Sequence, residues 1–254
     1  MNLVDAVKSV FRKKIRTDDL LDVFDSVTKD VPMIYDLSVT TPPDSLAKQR
    51  SQTDPFKYGD ANTFGQDFKL DERCKSIIVW NVFSTVAFDY TYKNTFLPKI
   101  IDYLNKKYSN EGYFFGYDDY KLNRKQFAIR SGAATLAKPS LAFHKKFGMN
   151  YKIDLLFTNA EFKDTVVIKD TPRYNNCIGC DAPCESKCPM SCKMDFDLVD
   201  WEKCSNFVDT PEAFKDLDNI CRICQESCPY SEELTRQILD VNPNYGGRID
   251  VSKI

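Results

Sequence analysis

Cysteine limits what this 254-residue chain can be more than any other residue type, because nine of its ten cysteines fall between positions 177 and 228. Seven of these nine form two groups that each end in a Cys-Pro dipeptide, and Cys192 and the isolated Cys204 lie between the groups. The groups read Cys177-x2-Cys180-x3-Cys184-x3-Cys188-Pro189 and Cys221-x2-Cys224-x3-Cys228-Pro229. A block of this density predicts a site whose ligands are sulfur atoms.

The cellular compartment decides whether these thiols are oxidised or free. The N-terminal stretch contains Asp5 and has no apolar core of signal-peptide length. The longest apolar run, residues 77–88, is interrupted by polar side chains and is too short to span a bilayer. We therefore expect a cytoplasmic protein without a membrane segment, whose thiols stay reduced and serve metal or redox chemistry rather than disulfides.

Two kinds of metal site compete for the cysteines. A zinc site would use the two C-x2-C pairs, 177/180 and 221/224, and would leave both Cys-Pro dipeptides unexplained. Two 4Fe-4S clusters need eight thiolates, and in the ferredoxin pattern the cysteine before proline ligates the other cluster. This pattern assigns one cluster to Cys177, Cys180, Cys184 and Cys228, and the other to Cys188, Cys204, Cys221 and Cys224. The two-cluster interpretation accounts for the whole pattern, and zinc remains the alternative.

Three further residues have reactive or metal-binding side chains but no predicted role. Cys192 lies four residues after Cys188. It is either a spare thiol near a cluster or a ligand that replaces one of its neighbours. Cys74 precedes a predicted strand and is expected to be a small buried side chain. His144 is the only histidine, so a metal site with several histidine ligands is excluded.

The chain before the cysteines alternates predicted helices and strands. The predicted helices cover residues 18–28, 94–112 with Pro98 in the first turn, 121–132 ended by Gly132, and a helical turn over 140–148. The predicted strands cover residues 76–83, 112–117, and 151–159 paired with 164–170. Residues 37–55, rich in Pro, Ser and Thr, are expected to be irregular. Alternation of this kind predicts an α/β layer domain of the α+β class.

The amino-acid composition and the charge of the chain change after residue 170. Residues 171–254 hold 9 Lys/Arg against 15 Asp/Glu, which leaves a net charge of +4 on residues 1–170 of a chain with −2 overall. We therefore predict two domains, an α/β cofactor and substrate domain over 1–170 and a ferredoxin-like two-cluster domain over 171–254. A charge of +4 does not amount to a nucleic-acid-binding surface.

Two stretches resemble one group of enzymes. The cysteine block, with Cys204 ahead of the last C-x2-C-x3-C-P, resembles that of the cobalamin-dependent epoxyqueuosine reductases and, more distantly, the reductive dehalogenases. The segment DDYKLNRKQFAIRSGAATLAKPSLAFHKKFG, residues 118–148, is similar to the family segment in which an aspartate precedes an Arg–small–Gly turn and a lysine follows. The chain departs from the family by one extra residue between Cys180 and Cys184, and by Ala and Thr where Gly and Trp are usual before Lys138.

The resemblance implies roles that spacing alone does not. Asp118 would be the proton donor, and Arg130, Ser131, Gly132 and Lys138 would bind cobalamin in a nitroreductase-like core. A low-potential donor of the ferredoxin or flavodoxin type would feed the clusters, and the substrate would be a small molecule or a modified nucleoside. The sequence ends 26 residues after Cys228, so we expect no helical-repeat region of the kind many of these reductases carry, and weak tRNA binding.

Three functions therefore remain open. The first is a cobalamin-dependent reductase whose two clusters pass electrons to a corrinoid. The second is a ferredoxin-type electron-transfer or corrinoid-reducing protein without its own cobalamin. The third is a zinc-stabilised binding module without redox chemistry. Iron, sulfide and corrinoid content distinguish them.

Overall fold

An antiparallel sheet lies at the centre of the structure, a computed structural model that describes residues 14–43, 73–85, 91–117, 124–196, 198–208 and 221–247. Its four strands are β1, Tyr35–Thr40; β2, Ser76–Phe83; β3, Phe115–Tyr117; and β6, Tyr151–Thr158. They lie in the order β1-β2-β6-β3, and every neighbouring pair is antiparallel. The prediction of a strand over 76–83 is confirmed, and all eight residues of β2 are buried, as an uncharged run on a central strand requires.

Two helices cover one face of the sheet. Helix α1, Asp18–Thr28, confirms the helix predicted over those residues, and helix α2 covers Thr91–Lys107. Trp80 of β2 is fully buried beneath them, and the Phe24 ring of α1 meets it edge-on at 5.4 Å between centroids. An edge-on aromatic pair contributes about 0.5–1.5 kcal/mol beyond its buried area, so this contact helps to fix α1 on the sheet.

The opposite face carries helix α3, Arg124–Arg130, and a hairpin of β4, Ala134–Leu136, and β5, Ala142–His144. Gly132 ends α3 as predicted, with a φ of +74° that favours glycine. Two hydrogen bonds close the helix end there, from Gly132 N to Ile129 O at 2.9 Å and from Ala133 N to Ala128 O at 3.1 Å. The chain consequently enters β4 directly, and the hairpin packs against the sheet.

The cysteine region packs on this same face. Its elements are a 3-10 turn at Asn175–Cys177, α4 at Pro183–Ser186, β7 at Met194–Asp195, β8 at Leu198–Val199, α5 at Trp201–Val208, α6 at Ile223–Glu226 and α7 at Pro229–Val241. One hydrophobic cluster joins Val79 and Leu155 of the sheet to Cys177 and Cys228. The predicted regions 1–170 and 171–254 therefore share a continuous core, and the boundary between two domains stays a prediction.

The mixed α/β character of the predicted fold class is confirmed, whereas the ferredoxin-like character of the cysteine region stays a prediction. No helix within the described ranges is long and apolar enough to cross a lipid bilayer.

Several local predictions are wrong because tertiary pairing outweighs local pattern. Residues 140–148 hold β5 and a turn instead of a helical turn, since Ala142–His144 pairs with β4. Residues 37–40, expected to be irregular, complete β1 by pairing with β2. Residues 164–170 form no strand beside β6, and Val166 and Ile168 instead donate single backbone hydrogen bonds to Val39 and Arg130.

Helix α2 begins earlier and ends earlier than predicted. It starts at Thr91, so Pro98 lies inside the helix rather than in its first turn. It ends at Lys107, and Gly112, with a φ of +65°, belongs to the turn that follows. The proline misled the prediction because a missing N–H is usually tolerated only at a helix start.

Candidate functional site

Four thiols surround one small pocket beside the hairpin. They are Cys177, Cys180, Cys184 and Cys228, here called the first thiol set. The remaining lining is mostly apolar and consists of Ala137, Lys138, Pro139, Met149, Ala182, Pro183, Pro229 and Tyr230. The structure thus brings together the four residues predicted to ligate one cluster, although three of them come from the first cysteine group and one from the second.

Local structure explains how Cys184 and Cys228 reach this pocket. Pro183 begins α4 one residue before Cys184, and Pro229 begins α7, which leaves Cys228 as its N-cap. The backbone N–H groups of Tyr230 and Ser231 in the first turn of α7 donate to the Cys228 sulfur. Pro229 therefore starts a helix whose positive end faces the Cys228 thiol and favours its anion.

The other four predicted ligands also lie together. They are Cys188, Cys204, Cys221 and Cys224, here called the second thiol set. Cys188, Cys204 and Cys224 pack against one buried cluster of Cys184, Cys192 and Met194. Cys221 lies within electrostatic range of Cys204 and Cys224. The second set therefore adjoins the first, with α4 packed against α6 between them.

Burial opposes the ionisation of five of these eight thiols. Burial and then neighbouring thiols raise the pKa of Cys184 to about 11 and that of Cys224 to about 12. Burial likewise raises the pKa of Cys177, Cys204 and Cys228. A cationic group among the sulfurs would reverse these shifts, because thiolates are the form that binds metal and a bound cation favours them.

A set of four thiolates, which are soft donors, suits an iron–sulfur cluster or a zinc ion. In the described part of the chain, no three His, Cys, Asp or Glu side chains are arranged to hold a single metal ion.

Cys192 is a ninth thiol beside the second set. Its side chain is fully buried, forms a hydrogen bond with Cys188 and packs against Cys204 and Cys224. Burial first, and the Cys188 contact second, raise the pKa of Cys192 to about 12. The sequence left Cys192 open as a spare thiol or a replacement ligand, and the structure places it in contact with Cys188 in either case.

The residues predicted to bind cobalamin divide into two places. Arg130 Nε donates to the Thr41 carbonyl at 3.1 Å, and Ser131 Oγ lies 2.8 Å from Ser38 Oγ of β1, so both side chains tie the end of α3 to its surroundings. Gly132 is covered by Val166, whose Cγ1 would lie 3.2 Å from an added Cβ. Lys138 instead lines the first pocket, and its backbone N–H lies 3.5 Å from the Cys177 sulfur. Asp118, the predicted proton donor, lies outside the described residues.

His144 has a structural explanation. Its ring is fully buried and stacks on Phe147 at 4.5 Å, and its Nδ1 accepts the Lys146 backbone N–H at 3.2 Å. Nε2 must then carry the proton, and it lies 3.4 Å from Asp36 Oδ2 of β1. Burial lowers the pKa of His144 and so keeps it neutral. His144 therefore links β5 to β1, a contact that the sequence pattern did not indicate.

Asp36 is the charged end of this link. Burial by itself would raise the pKa of Asp36, but hydrogen bonds from His144 and Lys146 lower it to about 2. The carboxylate therefore stays ionised at neutral pH, between a buried imidazole and an exposed ammonium group.

No sequence model of a protein family matches this chain, and no curated protein matches it. Solved structures do match, beginning with a selenomethionine-labelled epoxyqueuosine reductase at a TM-score of 0.61 and 17% identity. The epoxyqueuosine reductase from Bacillus subtilis, with its catalytic aspartate loop swung out of the active site, gives 0.59 and 19%. An epoxyqueuosine reductase with an epoxyqueuosine-modified tRNA-Tyr stem loop gives 0.61 and 16%.

Each of these alignments covers 85% of this chain and 65% of the other, so this chain spans about two thirds of the length of the structures it matches. The fold expected from the resemblance is therefore confirmed: it is the fold of epoxyqueuosine reductases over the aligned residues.

Proposed function

We propose that this chain is an iron–sulfur oxidoreductase, a cobalamin-dependent reductase resembling epoxyqueuosine reductase in which two 4Fe-4S clusters pass electrons to a corrinoid. One observation carries the iron–sulfur part: eight thiols lie in two adjoining sets of four, and each set draws on both cysteine groups of the sequence. This is the crossed ligand pattern of two-cluster ferredoxins.

The residues present fit two clusters. Each set offers four thiols, and bound clusters would supply one-electron transfer at low potential. Around the first set, the backbone N–H groups of Lys138, Tyr230 and Ser231 point at thiol sulfurs and would stabilise negative charge on them. Most of the other lining is apolar, and three of the four cysteines of the first set are buried. A zinc site built from both C-x2-C pairs is disfavoured, because the two pairs belong to different sets.

The corrin part of the proposal rests on the sequence resemblance and the shared fold. The Arg130 and Ser131 side chains already hold hydrogen bonds within the chain, so neither carries the corrin part. Lys138 is the predicted cofactor residue that lies at the thiols. We propose Asp118 as the proton donor, and we assign no step to the corrin on the described residues.

The internal bonds of Arg130 and Ser131 favour the second candidate, an electron-transfer or corrinoid-reducing protein without its own cobalamin. For either candidate we propose a cytoplasmic protein with an electron donor of the ferredoxin or flavodoxin type. For the reductase we propose a small molecule or a modified nucleoside as the substrate, and one similar structure does hold an epoxyqueuosine-modified stem loop.

Anaerobic purification tests the iron–sulfur part first. We expect about eight iron atoms and about eight sulfide ions per chain, since each cubane holds four of each. Zinc in their place would refute both candidates.

Addition of cobalamin to the cluster-loaded protein then separates the candidates. Tight binding, with reduction to cobalt(I) by a low-potential reductant, supports the reductase, and no binding at a large excess supports the electron-transfer protein. In the reductase, Asp118→Asn should keep the iron and the corrinoid but lose turnover. The matched variant Asp119→Asn should keep the iron, the corrinoid and the turnover. Equal losses of turnover in the two variants would contradict the assignment of Asp118 as the proton donor.

A further inference from the structure

Arg222 is a buried cation inside the second C-x2-C pair, between Cys221 and Cys224. Its side chain is 4% exposed, although an arginine is almost never buried unless an anion pairs with it. An unpaired charge in such a place is costly. The position of Arg222 therefore raises the question of which anion it serves.

The contacts of Arg222 with the described residues leave that charge largely uncompensated. Nη2 donates to Asn150 Oδ1, and Nε donates to Gln225 Oε1 at 2.9 Å, but neither acceptor is charged. Nη1 is buried and has no hydrogen-bond partner among the described residues. Among the described residues, Glu226 is the only one with a carboxylate within 4 Å of the Arg222 side chain. Its oxygen lies 4.0 Å from Nε, and the Glu226 side chain is 59% exposed. An exposed carboxylate at that distance gives little stabilisation.

Arg222 lies between Cys221 and Cys224, two predicted ligands of the second set, so a cluster held there would bring an anion close to its charge. Arg222 interacts electrostatically with Cys224, a predicted cluster ligand. Four thiolates around a cubane carry a net negative charge, and reduction adds one more electron. Because Coulomb energies rise as the local dielectric falls, a buried cation favours the reduced state more than an exposed one does.

We propose that Arg222 raises the reduction potential of the cluster held by Cys188, Cys204, Cys221 and Cys224, by stabilising its reduced state. This inference rests on the proposed function. It makes Arg222 a tuning residue, distinct from the ligands, that biases electrons toward the second cluster. Charge and hydrogen bonding around the sulfurs are the levers that set such potentials.

A purely structural role predicts something different. Asn150 also donates to Thr235 of α7 at 2.8 Å, so Arg222 is part of a polar bridge between the end of the hairpin and α7. Glutamine at position 222 places its amide nitrogen where Arg222 Nε lies, so it could keep the hydrogen bond to Gln225 but would lose both the charge and the bond to Asn150. Lysine would keep the charge but not the paired hydrogen bonds of the planar fork. The lysine variant therefore separates charge from bridging.

Anaerobic redox titration of the cluster-loaded protein, followed by electron paramagnetic resonance, measures the effect. In Arg222→Gln we expect the ratio of reduced to oxidised second cluster to fall about tenfold at the wild-type midpoint, which is a shift of 59 mV for one electron. Arg222→Lys should stay near wild type. Arg236→Gln, which removes an exposed ion pair with Glu233 on α7, is the control and should change neither cluster.

Each outcome decides the proposal. Full iron with unchanged potentials in Arg222→Gln, or equal shifts in the Gln and Lys variants, would overturn it. If Arg222→Gln loses iron, retention by Arg222→Lys supports the role of charge, and loss in both overturns it. A wild-type chain without iron would instead refute the proposed function, which the purification detects before any variant is made.

Discussion

Gly148 lies where the chain after the hairpin meets helix α7, and replacing it with alanine should loosen the first thiol set. Its φ is +61°, and an added Cβ would lie 2.6 Å from Ser231 Oγ and 2.8 Å from Ser231 Cα. Ser231 is fully buried, and its Oγ accepts the Met149 N–H at 2.9 Å. The contact therefore involves backbone that can move only if α7 moves.

The magnitude has two parts. A left-handed conformation costs an L-residue about 1–2 kcal/mol. Forcing an extra carbon into a packed contact costs about 1–3 kcal/mol more. Gly179 provides the matched control, because its φ is +78° but no heavy atom lies within 4 Å of an added Cβ. We therefore expect Gly148→Ala to lower the free energy of unfolding by about 2–5 kcal/mol and Gly179→Ala by about 1–2 kcal/mol.

Denaturant unfolding of both variants under anaerobic conditions measures this difference. Iron content adds a second readout for Gly148→Ala, since Cys228 caps the same helix three residues before Ser231 and should shift with it. Equal destabilisation of the two variants would show that α7 does not press on Gly148, and the packing described for this junction would then be wrong.

Three further changes test separate parts of the structure. Cys204→Ala should remove one cluster and about half of the iron, whereas Cys192→Ala should leave the iron unchanged; equal losses would make Cys192 a ligand. Ser231→Ala leaves the buried Met149 N–H without its partner and should cost about 1–3 kcal/mol of unfolding free energy, while no loss would mean that water replaces the hydroxyl. Asp36→Asn should destabilise the protein at pH 7, and the cost should shrink as pH falls from the ordinary aspartate value of 3.8 toward about 2, because the depressed pKa of Asp36 contributes stability only above that range. A cost independent of pH would contradict the ion pair.

The sequence was most informative where the rules are local. The C-x2-C spacing keeps Cys177 beside Cys180 and Cys221 beside Cys224, because such a turn is decided within a few residues. The crossing of ligands between the two cysteine groups came from the ferredoxin pattern and stays a prediction. Gly132 was predicted from a local rule, since a helix end needs a positive φ at one position. Strand β2 followed from an uncharged run of eight residues that only a sheet interior can bury on both faces.

Contacts between distant segments could not be predicted. Residues 140–148 carry a pattern compatible with a helical turn, but pairing with β4 makes three of them a strand. Asp36 and His144 meet across 108 positions of sequence, and nothing near either residue indicates the other. Arg222 is a similar case, since a charged residue between two cysteines gives no sign that the fold will bury it.

The β4–β5 hairpin shows why the thiol site depends on the α/β part of the chain. One end of the hairpin packs in the core through Leu136, and its turn, residues 137–139, lines the first pocket. At the turn, Lys138 offers its N–H to Cys177 and its carbonyl to the N–H of Phe196 at 2.9 Å. Beyond it, Met149 lines the same pocket and donates to Ser231 at the start of α7. Residues 171–254 therefore supply the sulfurs and half of the other lining residues, and residues 137–139 and 149 supply the rest. The predicted boundary at residue 170 separates two regions that build one site.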